Sequence, residues 1–172
     1  AFLNVYQEGY NEIFLIDDIA HQVGHLIFEA ITFNRNEYFT CDYNTILQVN
    51  SYEKRTVEVF LHALFTYSLI LRCLSSCITS GAFEHDKLLE VKGRLVHCLT
   101  KAKLDFNIVT PSLAPSYFTP KGVDLYNFTY NTFNDVFQKY QHLITAYTIK
   151  NQPYNYDHKV FKRENQKIES TY

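Results

Sequence analysis

Four stretches of the chain repeat apolar residues at helical spacing. In the first, Ile19, Val23, Leu26, Ile27 and Ala30 recur every three or four residues, the period that keeps one face of an α-helix turned inward. The pattern predicts a helix from Asp17 or Asp18, whose carboxylate can cap it, to about Thr32. The second stretch opens at Thr56 and runs to Ser80-Gly81, where glycine suits the position after a helix end. It is the most hydrophobic part of the chain, but Glu58, His62 and Arg72 interrupt it. A membrane span needs about 18 or more uncharged apolar residues, so a helix buried on most sides is expected instead. The third runs from Phe83 to Leu104, with Leu88, Leu89, Val91, Leu95, Val96 and Leu99 inside and Lys87, Glu90, Lys92, Arg94 and Lys101 outside. The fourth begins at Thr119-Pro120, with proline at the first helical position, and reaches about Thr148.

Between these stretches the pattern changes. Phe2 to Tyr6 reads as a short strand, Gln7 to Glu12 as a turn, and Ile13 to Ile16 as a second apolar run. Asn34 to Asn50 is a polar connection punctuated by Asn34, Asn36, Asp42 and Asn44, long enough for a lid or binding loop and partly strand-compatible. Asp105 to Pro120 is broken by Pro111, Pro115 and Pro120. The expected fold is mainly α: one helical domain over residues 1–150 with a short N-terminal strand or hairpin, then a polar, extended tail over 151–172.

Composition narrows the function. At 172 residues the chain can bury one real core, and 47% hydrophobic with 20% charged residues is ordinary for a globular protein. A net charge of -2 gives no footprint for nucleic acid or an anionic membrane, and no targeting signal opens the chain. Cys41, Cys73, Cys77 and Cys98 form no C-x-x-C pair; Cys73 and Cys77, four residues apart on one helical face, read as two buried structural thiols rather than metal ligands, and nothing demands an oxidising compartment, so a cytoplasmic protein is expected. The chain starts at Ala1 and contains no Met, so a piece of a longer chain is expected. Oligomeric state leaves no mark on the sequence.

The chemistry gathers in Asp17-Asp18-Ile19-Ala20-His21-Gln22-Val23-Gly24-His25. His21 and His25 are four residues apart, so on a helix their imidazoles stack one turn apart on one face and suit two ligands of a single metal ion. Gly24 between them, at a cost of about 0.5–1 kcal/mol in a helix, points to close approach by another element. A mononuclear site needs a third ligand. His62 is the best candidate, since an unpartnered histidine in so apolar a helix would be costly; a core histidine bonded to a carbonyl is the other reading. Glu58, one turn before His62, is an alternative ligand or a carboxylate that orients an imidazole. His85, His97, His142 and His158 lie on more polar segments and read as ordinary. The spacing is that of the zincin motif H-E-x-x-H, but Gln22 stands where the hydrolytic base would be and cannot take a proton from metal-bound water. A hydrolase is thus disfavoured, whereas an oxidative iron centre loses nothing. A zinc site without hydrolase activity, or a metal-free helical interaction module, is the alternative.

The Asp-Asp-x-x-His-Gln-x-Gly-His stretch and the Val59-Phe60-Leu61-His62-Ala63-Leu64-Phe65 stretch resemble bacterial HExxH-motif proteins of peptide-modification gene clusters, described as 2-oxoglutarate-dependent peptide β-hydroxylases. Phe118-Thr119-Pro120-Lys121-Gly122 is similar to a Thr-x-x-Gly segment of that family. The resemblance covers about residues 1–130, and it departs at Gln22 and at Lys54-Arg55-Thr56, where the family has Arg-Pro. It implies Fe(II) on His21, His25 and His62, with 2-oxoglutarate as cosubstrate and a peptide or amino-acid side chain as substrate. A cation would anchor the far carboxylate of the cosubstrate, with Arg72 as first choice and Arg55 as second.

Overall fold

The computed structural model describes residues 10–49 and 53–169. The strand expected at Phe2 to Tyr6 lies outside them. Among the described residues there are five α-helices and one two-stranded antiparallel hairpin: α1 (Glu12–Ile31), β1 (Ile46–Gln48), β2 (Lys54–Thr56), α2 (Val57–Thr79), α3 (His85–Phe106), α4 (Pro120–Ala146) and α5 (His158–Glu169). The protein is mainly helical, as its periodicity requires.

α1 starts earlier than the two aspartates suggest. Asn11 caps it, with Oδ1 accepting from the backbone N–H groups of Ile13 and Phe14 at 3.0 and 2.9 Å. The apolar run at Ile13 to Ile16 therefore forms the first turns of a helix, and Asp17 and Asp18 lie inside it. Capping chemistry at Asn11, well upstream of the aspartates, decides the boundary, which frees Asp17 for an ion pair with Arg94 (Nη1 to Oδ2, 2.9 Å).

α2 is the central helix and packs against α1, α3 and α4. Thr56 caps its start, and the chain leaves it through Gly81 at φ 64°, a conformation that glycine adopts without penalty. By length and composition α2 could cross a membrane, but Phe60, Leu61, Leu64, Leu71 and Leu74 are buried inside the protein. α3 buries Leu89, Val91, Leu95, Val96 and Leu99 as expected, and α4 runs from the Thr119 cap across α2 with a break in helical geometry at Tyr140.

The segment after residue 150 is not an extended tail. Residues 147–157 cross α3, with Tyr156 set against Gly93 at a distance no side chain there would permit. α5 then docks through Phe161 and Asn165, which share a face four residues apart. Asn165 ties the docking down: its Oδ1 accepts from Thr148 N and its Nδ2 donates to Thr148 O, both at 2.9 Å. Overall polarity hid this face, because two inward residues suffice for a short helix.

Candidate functional site

The face of α1 that packs on α2 is made by Ala20, Gly24 and Phe28, at i, i+4 and i+8. A Cβ built at Gly24 would stand 3.1 Å from Thr66 Cα, tighter than ordinary van der Waals contact. Gly24 thus lets α1 and α2 approach closely, as its place between two histidines suggested. His21 and His25 each follow a buried small residue by one position, about 100° round the helix. They stand at the edge of the packed face, where α2 brings His62 up to them.

The three histidines meet. His25 Nδ1 lies 2.7 Å from His62 Nε2, and His25 Nε2 lies 2.8 Å from His21 Nε2. Phe28 stacks on the His62 ring with centroids 4.3 Å apart. Burial, and then the neighbouring His25, push His62 down to about 4, and burial lowers His25 as well. Both rings are therefore neutral at pH 7. A neutral His25 has one N–H, so it donates one of its two bonds and accepts the other.

Among the described residues no group of three or more His, Cys, Asp and Glu side chains is arranged to hold a metal ion. His25 turns a different ring nitrogen to each neighbour, Nδ1 to His62 and Nε2 to His21. The donor set itself fits a transition metal: three neutral imidazoles from two helices.

The surroundings differ from expectation. Glu58 does not orient a histidine; it pairs with Arg35, which also holds Glu29. Glu29 is the carboxylate that approaches His62, with Oε1 3.9 Å from Nδ1, too far for a hydrogen bond. Gln22 lines the cavity beside the histidines. Arg72 is exposed over the Phe128 ring, ten residues and about 15 Å further along α2 than His62. Arg55 is occupied by Asp105 at 2.9 Å and Glu53 at 2.6 Å. Neither arginine lines the cavity, because a helix ten residues on, and a hairpin beside Asp105, face elsewhere.

The histidines open onto a cavity of about 510 Å³, within the size range of small-molecule sites. Its other wall comes from α3 and the crossing segment: Arg94, His97, Cys98, Lys101, Tyr154 and Tyr156. Sequence reasoning missed this wall. The pattern puts Arg94 and Lys101 outside and makes His97 ordinary, yet at i, i+3 and i+7 the three share one helical face beside the apolar stripe. That shared face was the available signal. Cys98 is buried with its thiol pushed well above the ordinary range, which makes it unreactive, in keeping with a structural thiol.

No family model matches the chain, and no curated protein or solved structure does so either.

Proposed function

We propose that this protein is an oxygenase that holds Fe(II) on His21, His25 and His62 and uses O2 and 2-oxoglutarate to hydroxylate a peptide or amino-acid side chain. One observation carries the reading: His21 and His25, singled out by their spacing, and His62, singled out by its apolar setting, meet at 2.7 and 2.8 Å at the edge of a cavity. Iron with 2-oxoglutarate supplies an oxidant strong enough for an unactivated C–H bond. The chain's own residues do the rest. Neutral His25 and His62 need lose no proton to become ligands. Phe28, stacked on His62, fixes that ring and keeps water from its face. Gln22 offers an amide at the cavity wall, which can hydrogen-bond to substrate or cosubstrate but cannot act as a base.

The test is metal analysis of protein purified without oxygen, followed by turnover. The expected result is one iron per chain and iron-dependent conversion of 2-oxoglutarate to succinate. Tightly held zinc with no turnover would replace the oxygenase by a zinc site. A second reading, a metal-free interaction module, is favoured by the exposed apolar residues Leu26, Ile27 and Phe33. Failure to retain any added divalent metal would support it.

A further inference from the structure

We propose that residues 150–165 form a flap that closes one side of the cavity and is clipped to α3 at Gly93. The inference does not rest on the oxygenase reading, since a flap encloses whatever molecule the cavity takes.

The flap is a unit tied at its base. Asn165, at its far end, exchanges two hydrogen bonds with Thr148, just before its start, both at 2.9 Å. Tyr147 and Ile149, beside that clasp, pack on the contiguous core and hold the base in place. Within the flap Gln152 braces Asp157, accepting from its backbone N–H at 2.8 Å and donating to its carbonyl at 3.1 Å. A compact surface loop whose ends meet is held together by its own side chains. The flap also has its own apolar anchor. Phe161 is fully buried, yet it is not among the residues of the contiguous core. The rings around it are those of Tyr147, Tyr156 and His158. Such a satellite cluster can part from the body without opening the core.

Its grip on α3 follows one face of that helix, through Asp86, Gly93 and Lys101. Asp86 receives His158 at 3.4 Å and Lys162 at 2.7 Å, but its side chain is 61% exposed, and ion pairs in water contribute little. Lys101 Nζ donates to Tyr154 O at 3.2 Å and lies 3.9 Å over the Tyr154 ring. The deep contact is at Gly93. A Cβ built there would overlap Tyr156 Oη and stand 2.9 Å from Phe161 Cε1, so the flap seats only where α3 has no side chain. One notch and a few polar contacts hold it shut.

What the flap covers is the cavity. Tyr154, Asn155 and Tyr156 line it on one side, with His97 and Cys98 of α3. Cys98 is 6% exposed while the flap is shut. Lifting the flap removes that wall and opens the cavity to an entering molecule. Closing it again shuts water out around the molecule taken in. Segments that open in this way come from the least stable parts of a fold, and the exposed pairs and single notch place this one there.

The experiment combines native-state hydrogen exchange with alkylation of Cys98 by iodoacetamide, both read by mass spectrometry of peptides. In wild type the amides of α5 should exchange about tenfold or more faster than those in the middle of α2, and without the urea dependence of global unfolding. Gly93→Ala separates the flap from the fold. Alanine favours the helix of α3 itself, while its methyl group displaces Tyr156 and Phe161. Flap exchange and Cys98 alkylation should both rise about tenfold or more, with the amides of α1 and α2 within about threefold of wild type. Asn165→Ala, which unties the base, should raise both rates about threefold or more. Flap exchange in step with α2 across the urea series, or unchanged by both variants, would overturn the proposal. So would unaltered Cys98 alkylation in a variant whose flap exchanges faster, because the flap would then not cover the cavity. Should Gly93→Ala fail to fold, the wild-type urea series and Asn165→Ala decide the matter alone.

Discussion

α1 and α3 both line the cavity, and they divide their residues in opposite ways. α3 turns its large apolar residues to the core, as its period demands, and buries two charged residues among them: Glu90 and Arg94 are only 3% and 6% exposed. α1 turns the stripe of Ile19, Val23, Leu26 and Ile27 outward, leaving Leu26 58% exposed, and packs through Ala20, Gly24 and Phe28. The difference teaches that the inward face of a helix is set by how closely its neighbour must approach. Where small residues allow contact at backbone distance, as at Gly24 against Thr66, that face wins over a broader apolar stripe. The site follows from the same choice, since His21 and His25 border the small-residue face.

Replacing Arg94 by Met is the sharpest way to break the α3 half of the comparison. It would leave Glu90 and Asp17 without their cation, and an uncompensated buried charge costs about 3–5 kcal/mol. Urea unfolding measures it; a loss under about 1 kcal/mol would mean that these charges are solvated, as the sequence first suggests. On the α1 side, His62→Ala removes the residue that joins the α1 histidines to α2. Metal affinity should fall by about 10²-fold or more, measured by competition with a chelator, with α-helical content unchanged. Unaltered metal occupancy in this variant would exclude His62 as a ligand.

Much of this was legible in the sequence, for identifiable reasons. The ends of α2 and the start of α4 could be read because Thr56, Gly81, Thr119 and Pro120 carry local chemistry that needs no tertiary context. The meeting of His21, His25 and His62 could be read because i, i+4 spacing and an anomalous histidine in an apolar helix are both local signals. The start of α1 could not, since Asn11 and two aspartates compete as caps and only packing chooses; Asn11 also reaches Glu90 Oε2 at 2.7 Å. The α3 wall left only the weak signal of one shared helical face, because Arg94, His97 and Lys101 look like a solvated stripe until residues 147–157 cross over them. Arg72 and Arg55 failed as anchors because a resemblance carries residue types but not the direction in which a helix points them.

Gly24→Ala sharpens the comparison at the crossing itself. The substitution gains about 0.5–1 kcal/mol of helix propensity. Against this stands a methyl group at 3.1 Å from the Thr66 backbone, and overpacking costs about 1–3 kcal/mol. Net destabilisation of about 1 kcal/mol is expected in thermal or urea unfolding, with a larger relative loss at the site because the helices must part by a few tenths of an ångström. Metal affinity should then drop more than stability does. A variant more stable than wild type with unchanged metal affinity would show that the crossing is loose and that Gly24 does not set the His25–His62 distance.

The smallest effect belongs to the outward stripe of α1. Leu26→Gln replaces a large apolar residue that the period alone would assign to the core, where truncation costs about 2–5 kcal/mol. Leu26 is 58% exposed, whereas Leu95 on α3 is fully buried. Leu26→Gln should therefore change stability by no more than about 0.5 kcal/mol, while Leu95→Ala should lose several times that. Urea unfolding of the two variants side by side makes the comparison directly, because both remove one leucine from a cavity-lining helix. If Leu26→Gln proves as costly as Leu95→Ala, the outward face of α1 is covered in solution. Dependence of that loss on protein concentration would then identify the cover as a second copy of the chain, since only self-association ties stability to concentration in the absence of other components.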